Sequence, residues 1–543
     1  MADSEQSVFS LVGEEDDKSP KRAEDINPRS NELVIGLVGY AGAGFSRVAD
    51  KLADLLGQLD YQVELIKLSQ LIEAKIGEDV PARAAGEDKG EFALARAYRL
   101  QDLGDQLRGR HGDYAVASLA VQDIRDKRSG SSEGDGRRAY ILDSIKHPTE
   151  IDLLRRVYDK SFRLIAIHAD RDERLKRLSG PKGAEGKFAG ALDDNVEDFL
   201  HRDESDLTNK RGQQVRKAFH LADFFLDNNR PVRGSDNPPF VDDLKRFCEL
   251  VLGTVPVGPK LEEVGMYHAY AASLQSSCLS RQVGASVLDT SGNLLSTGAN
   301  EVPKFGGGVY SGSATRNDGR CYVWQGGDEG FVGCHNTHRK NRIKKDLGAW
   351  LSNVLEDDLS AVIERYIEDD LSRSQVREEI LGLVSTSFER ERKIPHIGDL
   401  IEFARSVHAE MNAIITAGRT GNSVEGGTLF TTTYPCHNCT RHIVAAGIKE
   451  VRFIEPYVKS LATELHNDAV KVSSEEAGDK MLIIPFTGVG PRMYEDYFMK
   501  MGENKNSETG AFEGNNAQGH LLGVRQLDIE SVEKSAAELI GTE

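Results

Sequence analysis

The chain has 543 residues, and its 68 basic and 87 acidic residues give a formal net charge of −19. A chain of this length exceeds one ordinary hydrophobic core, so two or three domains are expected. The acidic balance repels phosphate backbones and argues against a long nucleic-acid substrate, although small charged metabolites stay compatible with a locally basic pocket.

The first 31 residues are polar and acidic, and they predict a disordered arm. They lack the basic and then apolar layout of a signal peptide, and no apolar run in the chain approaches the ~18 residues of a membrane span. The six cysteines are too few and too scattered for a disulfide framework. We therefore expect a soluble cytoplasmic protein with no membrane partner.

A strand, a glycine-rich loop and a helix follow the arm. The apolar run at residues 33–38 precedes G-Y-A-G-A-G-F-S, and apolar residues at helical spacing come next. This layout predicts a phosphate-binding loop. The candidate nucleotide-binding residues are Gly39, Gly42, Gly44 and Ser46. Phe45 stands where the phosphate-loop pattern has a lysine, so the charge that bridges the β- and γ-phosphates during transfer is missing.

Apolar runs at residues 63–68, 140–142 and 164–167 alternate with helical stretches, which predicts a parallel sheet. Asp143 follows the run A-Y-I-L and is expected either to hold a metal ion or to cap a helix. Residues 32–252 resemble nucleoside-monophosphate kinases, through the glycine loop, R-D-E-R-L-K-R-L and A-D-F-F-L-D-N. Without the lysine we expect a nucleotide-sensing or structural domain, with a nucleotide effector as its partner.

The second domain is predicted at residues 253–500, after the linker V-P-V-G-P. The segment S-R-Q-V-G-A-S-V-L-D, the turn D-T-S-G-N and L-L-S-T-G-A-N predict a β-hairpin. The 108 positions from Asn300 to His408 exceed an ordinary loop, so an insertion is expected at about residues 305–400. Residues 501–543 predict a flexible segment and a terminal helix, which docks on the core or on another subunit.

Four residues in H-A-E and P-C-H-N-C carry the chemistry: His408, Glu410, Cys436 and Cys439. One imidazole and two thiolates leave the fourth tetrahedral position of a zinc ion open for a water molecule, whose pKa the metal lowers. Glu410 lies two residues past the histidine on a predicted helix and is the expected general acid and base. A structural zinc site is the alternative, and it needs a fourth protein ligand.

Two further histidines of the same segment, His437 and His442, could compete as metal ligands, but we expect a solvent-facing or supporting role for both. A second zinc site is a separate hypothesis, which would use the residues Cys321, Cys334, His335 and His338. Their spacing matches no established pattern, and scattered core cysteines with surface histidines are the alternative.

The spacing H-x-E…P-C-x-x-C is the signature of the zinc-dependent nucleobase deaminases. With S-R-Q-V-G-A, G-A-N-E-V-P and H-A-E-M-N-A-I behind a kinase-like half, the chain resembles the AvcD-type bacterial antiviral deoxycytidine-nucleotide deaminases. The resemblance implies a zinc enzyme that converts dCTP or dCMP to dUTP or dUMP and ammonia, and so depletes the dC nucleotide pool in antiphage defence. It also implies a homo-oligomer and, for some members, an inhibitory small RNA.

Three further residues are candidates for substrate binding. Asn300 matches the G-x-N-x-x-P of deoxycytidylate deaminases, which implies a contact with the sugar, and the alternative is a turn residue. Tyr457 and Lys459 are expected near the substrate end of the sheet, as a stacking ring and a phosphate-binding ammonium. An edge tyrosine and an exposed lysine are the alternatives.

The sequence thus predicts an α/β protein, in which a P-loop kinase-like parallel sheet precedes a cytidine-deaminase-like α/β/α domain. Two other functions stay open. A deaminase acting on RNA or single-stranded DNA would need an aromatic and basic channel, which the net charge disfavours. A bifunctional kinase-deaminase would need phosphoryl transfer at the altered glycine loop.

Overall fold

The computed structural model describes most of the chain beyond the N-terminal arm. The described residues are 32–76, 88–129, 137–179, 186–204, 206, 209, 211–229, 240–253, 257–312, 318–324, 331–366, 370–390, 400–457, 460–472, 478–499, 505–511 and 529–540. The predicted acidic arm and the first two residues of the predicted 255–259 linker lie outside them.

The strands are β1 (Leu33–Gly39), β2 (Gln62–Lys67), β3 (Arg138–Ile145), β4 (Phe162–His168), β5 (Phe224–Asp227), β6 (Gly284–Leu288), β7 (Leu294–Ala299), β8 (Thr428–Thr433), β9 (Glu450–Glu455), β10 (Val470–Val472), β11 (Met481–Pro485) and β12 (Gly488–Val489). The helices are α1 (Phe45–Gly57), α2 (Leu68–Ile76), α3 (Lys89–His111), α4 (Ala115–Ser129), α5 (Pro148–Tyr158), α6 (Arg171–Leu178), α7 (Asp193–Glu204), α8 (Val215–Phe219), α9 (Phe240–Leu252), α10 (Leu261–Ser273), α11 (His335–Tyr366), α12 (Asp370–Arg390), α13 (Ala409–Arg419), α14 (His437–Ala445), α15 (Ala462–Leu465), α16 (Tyr494–Phe498) and α17 (Ile529–Glu538). None of these helices is long and apolar enough to cross a membrane.

The first sheet has the strand order β12-β5-β4-β1-β3-β2, and β1 to β5 run parallel. Every residue of β1 is buried, and successive residues alternate between two apolar clusters on the two faces of the sheet. This burial on both faces explains the continuous apolar runs of the sequence. The predicted parallel sheet, and with it the α/β class, is confirmed.

The second sheet has the order β10-β11-β9-β8-β6-β7. The predicted hairpin is confirmed, because β6 and β7 pair antiparallel. β8, β9, β11 and β10 run parallel to one another, and β8 pairs antiparallel with β6. Gly298 of β7 lies so close to the α13 backbone that a Cβ there would clash with the Ala409 carbonyl and the Ala413 nitrogen. The missing side chain lets α13 pack directly on the sheet.

The segment between β7 and α13 contains α11 and α12, two long helices, so the predicted insertion has helical structure of its own. The boundaries predicted for the domains remain a prediction. β12 lies inside the stretch predicted as the second domain, yet it pairs antiparallel with β5 of the first sheet. The two halves of the chain are therefore joined through the sheet.

The sequence analysis expected Asp143 to follow the end of its strand, but in the structure it lies within the strand. β3 continues to Ile145, and Asp143 pairs in register with Lys67 of β2. The helix cap is His147, which accepts the Thr149 N–H at the start of α5. Sheet pairing with β1 and β2 extends the strand beyond its apolar run, so the alternative of a helix cap at Asp143 is wrong.

The terminal helix α17 docks on the first half of the chain, which is one of the two predicted arrangements. Its Glu533 is fully buried and lies 2.6 Å from Nη1 of Arg128 on α4. Glu32, just before β1, pairs with the same guanidinium at 2.8 Å. Arg128 thus pairs with both Glu533 and Glu32, and so connects the terminal helix to the start of the first strand.

We predict that Glu533→Ala destabilises the contact between α17 and α4. The loss of one carboxylate leaves Arg128 with Glu32, so the expected cost is about 2 kcal/mol rather than that of a fully orphaned charge. Amide hydrogen exchange followed by mass spectrometry should show faster exchange in α4 and α17 and unchanged exchange in α13.

Glu530→Ala is the matched control, because Glu530 is exposed on the same helix. Its exchange should equal that of the wild type. Equal protection of α4 in the Glu533 variant and the control would contradict the proposed role of the Glu533–Arg128 contact.

Candidate active site and metal centre

Two helix starts bring the predicted metal ligands together. His408 is the residue before α13, and Val407 beside it bridges to Glu301. Cys436 is the residue before α14, at the end of the connection from β8, and Cys439 lies in the first turn of that helix. The Cys436 sulfur accepts the Cys439 N–H at 3.4 Å and so caps α14.

The three ligand atoms converge. His408 Nδ1 lies 3.3 Å from Cys436 Sγ and 3.3 Å from Cys439 Sγ. Donor atoms that share a zinc ion at ~2.0–2.3 Å lie ~3–4 Å apart, so the residues fit the metal without rearrangement. In the part of the chain that the structure describes, this is the one group of three metal-ligand side chains whose donor atoms all lie within 4.8 Å.

The electrostatics of the group also suit a metal. The hydrogen bond from Cys439, and then the contact with His408, lower the pKa of the Cys436 thiol to about 4 against the effect of burial. The thiolate is the form of cysteine that binds metal ions. The start of α14 adds the partial positive charge of a helix N-terminus. The group therefore has the charge and donor set of a zinc site.

Glu410 lies beside the three ligands, on the first turn of α13. Its side chain is buried, with Oε2 3.3 Å from Cys439 Sγ and Oε1 3.5 Å from Thr431 Oγ1. Burial, and then the negative charge of Cys436, raise the pKa of this carboxyl group. The sequence analysis expected Glu410 to lie near the metal without binding it, and Glu410 is indeed outside the three-ligand group.

The site opens into a cavity of about 360 Å³. His408, Glu410 and Cys436 line one part of it, together with Asn300 and Tyr457. Cations line it as well, namely Arg281, Lys340 and Arg405. A cavity of this size, with a metal-ligand group and a few convergent polar side chains, is the usual form of a small-molecule site.

The predicted substrate residues have different surroundings. The Asn300 side chain accepts the Val283 N–H at 2.7 Å and donates to the Arg281 carbonyl at 2.8 Å, so it holds the start of β6. Tyr457 lines the cavity and lies under the Arg281 guanidinium, 5.7 Å from the ring centroid. Lys459 lies outside the described residues. The roles of all three toward a substrate remain predictions.

The second metal site is not formed by the described residues. Phe331 packs against both histidines: its ring stacks on that of His338, with the centroids 4.2 Å apart, and meets that of His335 edge-on, with the centroids 5.4 Å apart. The two histidines therefore take part in packing, and all four residues are half-buried, whereas the alternative of the sequence analysis was core cysteines with surface histidines.

Neither of the two competing histidines joins the metal group. Nε2 of His437 lies 3.6 Å from Glu402, and Nδ1 of His442 lies 2.7 Å from the Asn438 carbonyl.

The glycine loop holds an internal carboxylate. Asp203, at the end of α7, accepts the Ala41 N–H at 2.8 Å and pairs with Lys146 at 2.9 Å. The Lys146 ammonium donates to the Gly39 carbonyl at 3.3 Å and lies 5.5 Å from the centre of the Phe45 ring. A lysine from a different strand end therefore reaches the loop in which the motif lysine is missing.

The other predicted nucleotide-binding residues lie in the glycine loop, at the start of α1 and in β3. Gly42 and Gly44 have positive φ angles of 82° and 85°, which favour glycine. Ser46 is exposed in the first turn of α1. Burial raises the pKa of Asp143, with Lys146 and then Lys67 acting against it. The role of these residues in nucleotide binding remains a prediction.

Sequence reasoning missed the cavity cations and the Asp203–Lys146 pair. Arg405 stands three residues before His408, and Arg281 stands inside the motif S-R-Q-V-G-A, so proximity to a motif was the available signal. Asp203 carried no comparable signal, because it reaches the glycine loop from 162 residues away.

Residues 259–455 match the sequence model of the family described as the cytidine and deoxycytidylate deaminase zinc-binding region. Deoxycytidylate deaminase of Enterobacteria phage T4 is 44% identical over 54 residues, which are 10% of this chain and 28% of the relative. ComE operon protein 2 of Bacillus subtilis is 37% identical over 81 residues, 15% of this chain and 43% of the relative. The chain thus spans less than half of the length of these curated relatives.

The first half matches other proteins. A UPF0200 protein of Saccharolobus islandicus is 23% identical over 222 residues, covering 41% of this chain and 93% of the relative.

Among solved structures, the dCMP deaminase of cyanophage S-TIM5 in complex with dCMP and dUMP has 18% identity and a TM-score of 0.22, over 42% of this chain and 99% of that one. Shikimate kinase of Aquifex aeolicus has 12% identity and a TM-score of 0.21, over 40% and 95%.

The matched family region contains the whole His408, Cys436 and Cys439 group, so the predicted zinc cofactor is confirmed at the level of the family. Residues 259–455 of this chain are therefore similar to the zinc-binding region of cytidine and deoxycytidylate deaminases.

Proposed function

We propose that the chain is a zinc-dependent deaminase that converts deoxycytidine nucleotides, dCMP or dCTP, to uracil nucleotides and ammonia. The observation that carries this proposal is the convergence of His408 Nδ1 with the two thiols at 3.3 Å, with the Glu410 carboxylate beside them in a cavity. The match of residues 259–455 to the deaminase zinc-binding region supports it.

The three ligands would hold one zinc ion, which would lower the pKa of a coordinated water molecule and so supply the nucleophile. The water oxygen forms a bond with C4 of the cytosine ring, and the bond from C4 to the amino nitrogen breaks. Glu410 accepts one proton of the water and delivers it to N3. It then carries the second proton from the new C4 hydroxyl to the amino group, so that ammonia leaves as the C4 carbonyl of uracil forms. The buried position of Glu410 excludes bulk water from these transfers.

The other parts of the proposal rest on the family resemblance. Asn300 contacts the sugar, Tyr457 stacks and Lys459 binds phosphate in the proposed complex. The biological role is depletion of the dC nucleotide pool in antiphage defence, in a homo-oligomer that an inhibitory small RNA controls. The net charge of −19 supports a mononucleotide substrate over RNA or single-stranded DNA.

We predict that Glu410→Gln lowers ammonia release from the preferred substrate at least ~100-fold, because the amide keeps the shape of the side chain but cannot carry the proton. Release should be measured with zinc-loaded protein on deoxycytidine, dCMP, dCTP, CMP, CTP and a short single-stranded DNA. The zinc content of the variant should equal that of the wild type, because Glu410 is not a ligand.

Glu425→Gln, an exposed glutamate in the same region, is the control and should keep full turnover. Full turnover by Glu410→Gln would overturn the assignment of the proton carrier. A preference for the oligonucleotide over every mononucleotide would favour the polymer-acting alternative.

We also infer that the glycine loop serves a nucleotide effector and does not transfer a phosphoryl group. Phe45 replaces the motif lysine, and the Asp203 carboxylate occupies the Ala41 N–H that a phosphate oxygen would use. A bound phosphate therefore has to displace this carboxylate, and Lys146 is then available to pair with the phosphate.

We predict that Asp203→Asn tightens binding of ATP to the full-length protein by roughly 10-fold. The amide oxygen still accepts the Ala41 N–H, while the negative charge that competes with the phosphate is gone. Isothermal titration with ATP measures the change, and Asp194→Asn, at the exposed start of the same helix, is the matched control. Unchanged or weaker binding in Asp203→Asn, relative to wild type, would contradict the effector site.

A further inference from the structure

The cavity beside the metal group receives three cations, and they differ in their partners. Arg281 is committed to a carboxylate, because its Nη1 lies 3.3 Å from Glu455 Oε1, and its guanidinium lies over the Tyr457 ring. Lys340 extends from the second turn of α11. Arg405 belongs to the segment that leads into His408.

Arg405 is held by uncharged groups. Its guanidinium lies 3.7 Å from the centroid of the Trp324 ring, and its Nη1 donates to the Gly319 carbonyl at 2.6 Å. Among the residues that the structure describes, no carboxylate lies within ion-pair distance of it. The stacking and the single carbonyl contact fix the plane of a cation that has five N–H donors.

The insertion supplies the groups that hold Arg405. Trp324 and Gly319 both lie between β7 and α11, and Gly319 stands between two residues of a buried ion pair. In this pair Arg320 Nε donates to the Asp318 carboxylate at 2.9 Å. The Gly319 carbonyl and the Trp324 ring therefore set the position of the guanidinium.

The charge of Arg405 acts inside the cavity. Burial, and then the positive charge of Arg405, lower the pKa of His335, which also lines the cavity. Arg405 also lies near the metal group along the chain, three positions before the metal ligand His408. Their Cα atoms can thus lie at most ~11 Å apart. A partly buried guanidinium without a carboxylate, so close to a metal site, suits a ligand that brings its own negative charge.

We propose that Arg405 is a specificity residue that binds a phosphate group of the nucleotide whose base lies at the metal centre. The insertion then has a defined purpose, because it orients the phosphate-binding cation through Trp324 and Gly319. This inference rests on the proposed deaminase function and adds to it the distinction between a nucleotide and a nucleoside.

The test compares Arg405→Gln with wild type on deoxycytidine and on dCMP, in zinc-loaded full-length protein. The KM for dCMP is expected to rise roughly 10- to 100-fold with little change in kcat, while both constants for deoxycytidine stay within about twofold. Arg405→Lys keeps the charge but loses the planar stacking, so its KM for dCMP should lie between the two. Arg339→Ala is the matched control, because Arg339 is exposed on α11 and stacks on Phe403 without lining the cavity.

Equal losses for the nucleoside and the nucleotide would overturn the proposal in favour of a purely structural arginine. An unchanged KM for dCMP in Arg405→Gln would overturn it as well.

Equilibrium titration of dUMP against deoxyuridine separates this proposal from the proposed activity, since it needs no turnover. Weaker binding of dUMP alone in Arg405→Gln supports the phosphate contact even if the wild type releases no ammonia. Equal affinity of wild type and Arg405→Gln for dUMP refutes the phosphate contact, whether or not ammonia is released.

Discussion

Three donor atoms from two helix starts have to meet at separations near 3.3 Å, and the second sheet is built around this requirement. His408 precedes α13 and Cys436 precedes α14, so the relative position of the two helices decides whether a metal ion can bind. Gly298 allows the close approach of α13 to β7, and β8 leads directly to Cys436. Small changes in helix packing would separate the ligands, which explains the dense apolar cluster around the two cysteines.

The two halves of the chain share buried charges as well as a sheet. Glu263 of α10 is almost fully buried, pairs with Arg246 of α9 at 2.6 Å and accepts the Val489 N–H of β12 at 2.8 Å. One carboxylate thus connects the last helix before the linker, the first helix after it and the strand that completes the first sheet. Removing it would take from Arg246 the carboxylate that it pairs with, so this contact favours one fixed arrangement of the halves.

An electrostatic interaction between the halves lies next to the cavity. Burial lowers the pKa of His220, which follows α8, and Glu455 at the end of β9 acts against it. Glu455 is also the partner of the cavity residue Arg281. The glycine-loop half therefore reaches a residue one contact away from the proposed substrate site. The proposed nucleotide effector would therefore have a short connection to the cavity, through the side chains of His220, Glu455 and Arg281.

The sequence predicted those features that depend on local pattern. A continuous apolar run located β1, and apolar residues at helical spacing located α1. The H-x-E and P-C-x-x-C spacings located the metal ligands, because helix starts place residues at fixed offsets. Features that depend on distant parts of the chain were missed. Sheet pairing carries β3 past Asp143, Asp203 reaches the glycine loop from α7, and Trp324 orients Arg405 only after the insertion folds. The spacing of residues in the sequence does not reveal contacts between segments that are far apart along the chain.

The most direct test of the central claim is X-ray absorption at the zinc edge on the purified protein. A catalytic site made of His408, Cys436 and Cys439 should show two sulfur ligands at ~2.3 Å and two nitrogen or oxygen ligands at ~2.0–2.1 Å, one of them from solvent. Three or four sulfur ligands, or a protein without zinc, would contradict the account. In the first case the metal would be a closed structural centre, and in the second the three donors would serve the fold alone.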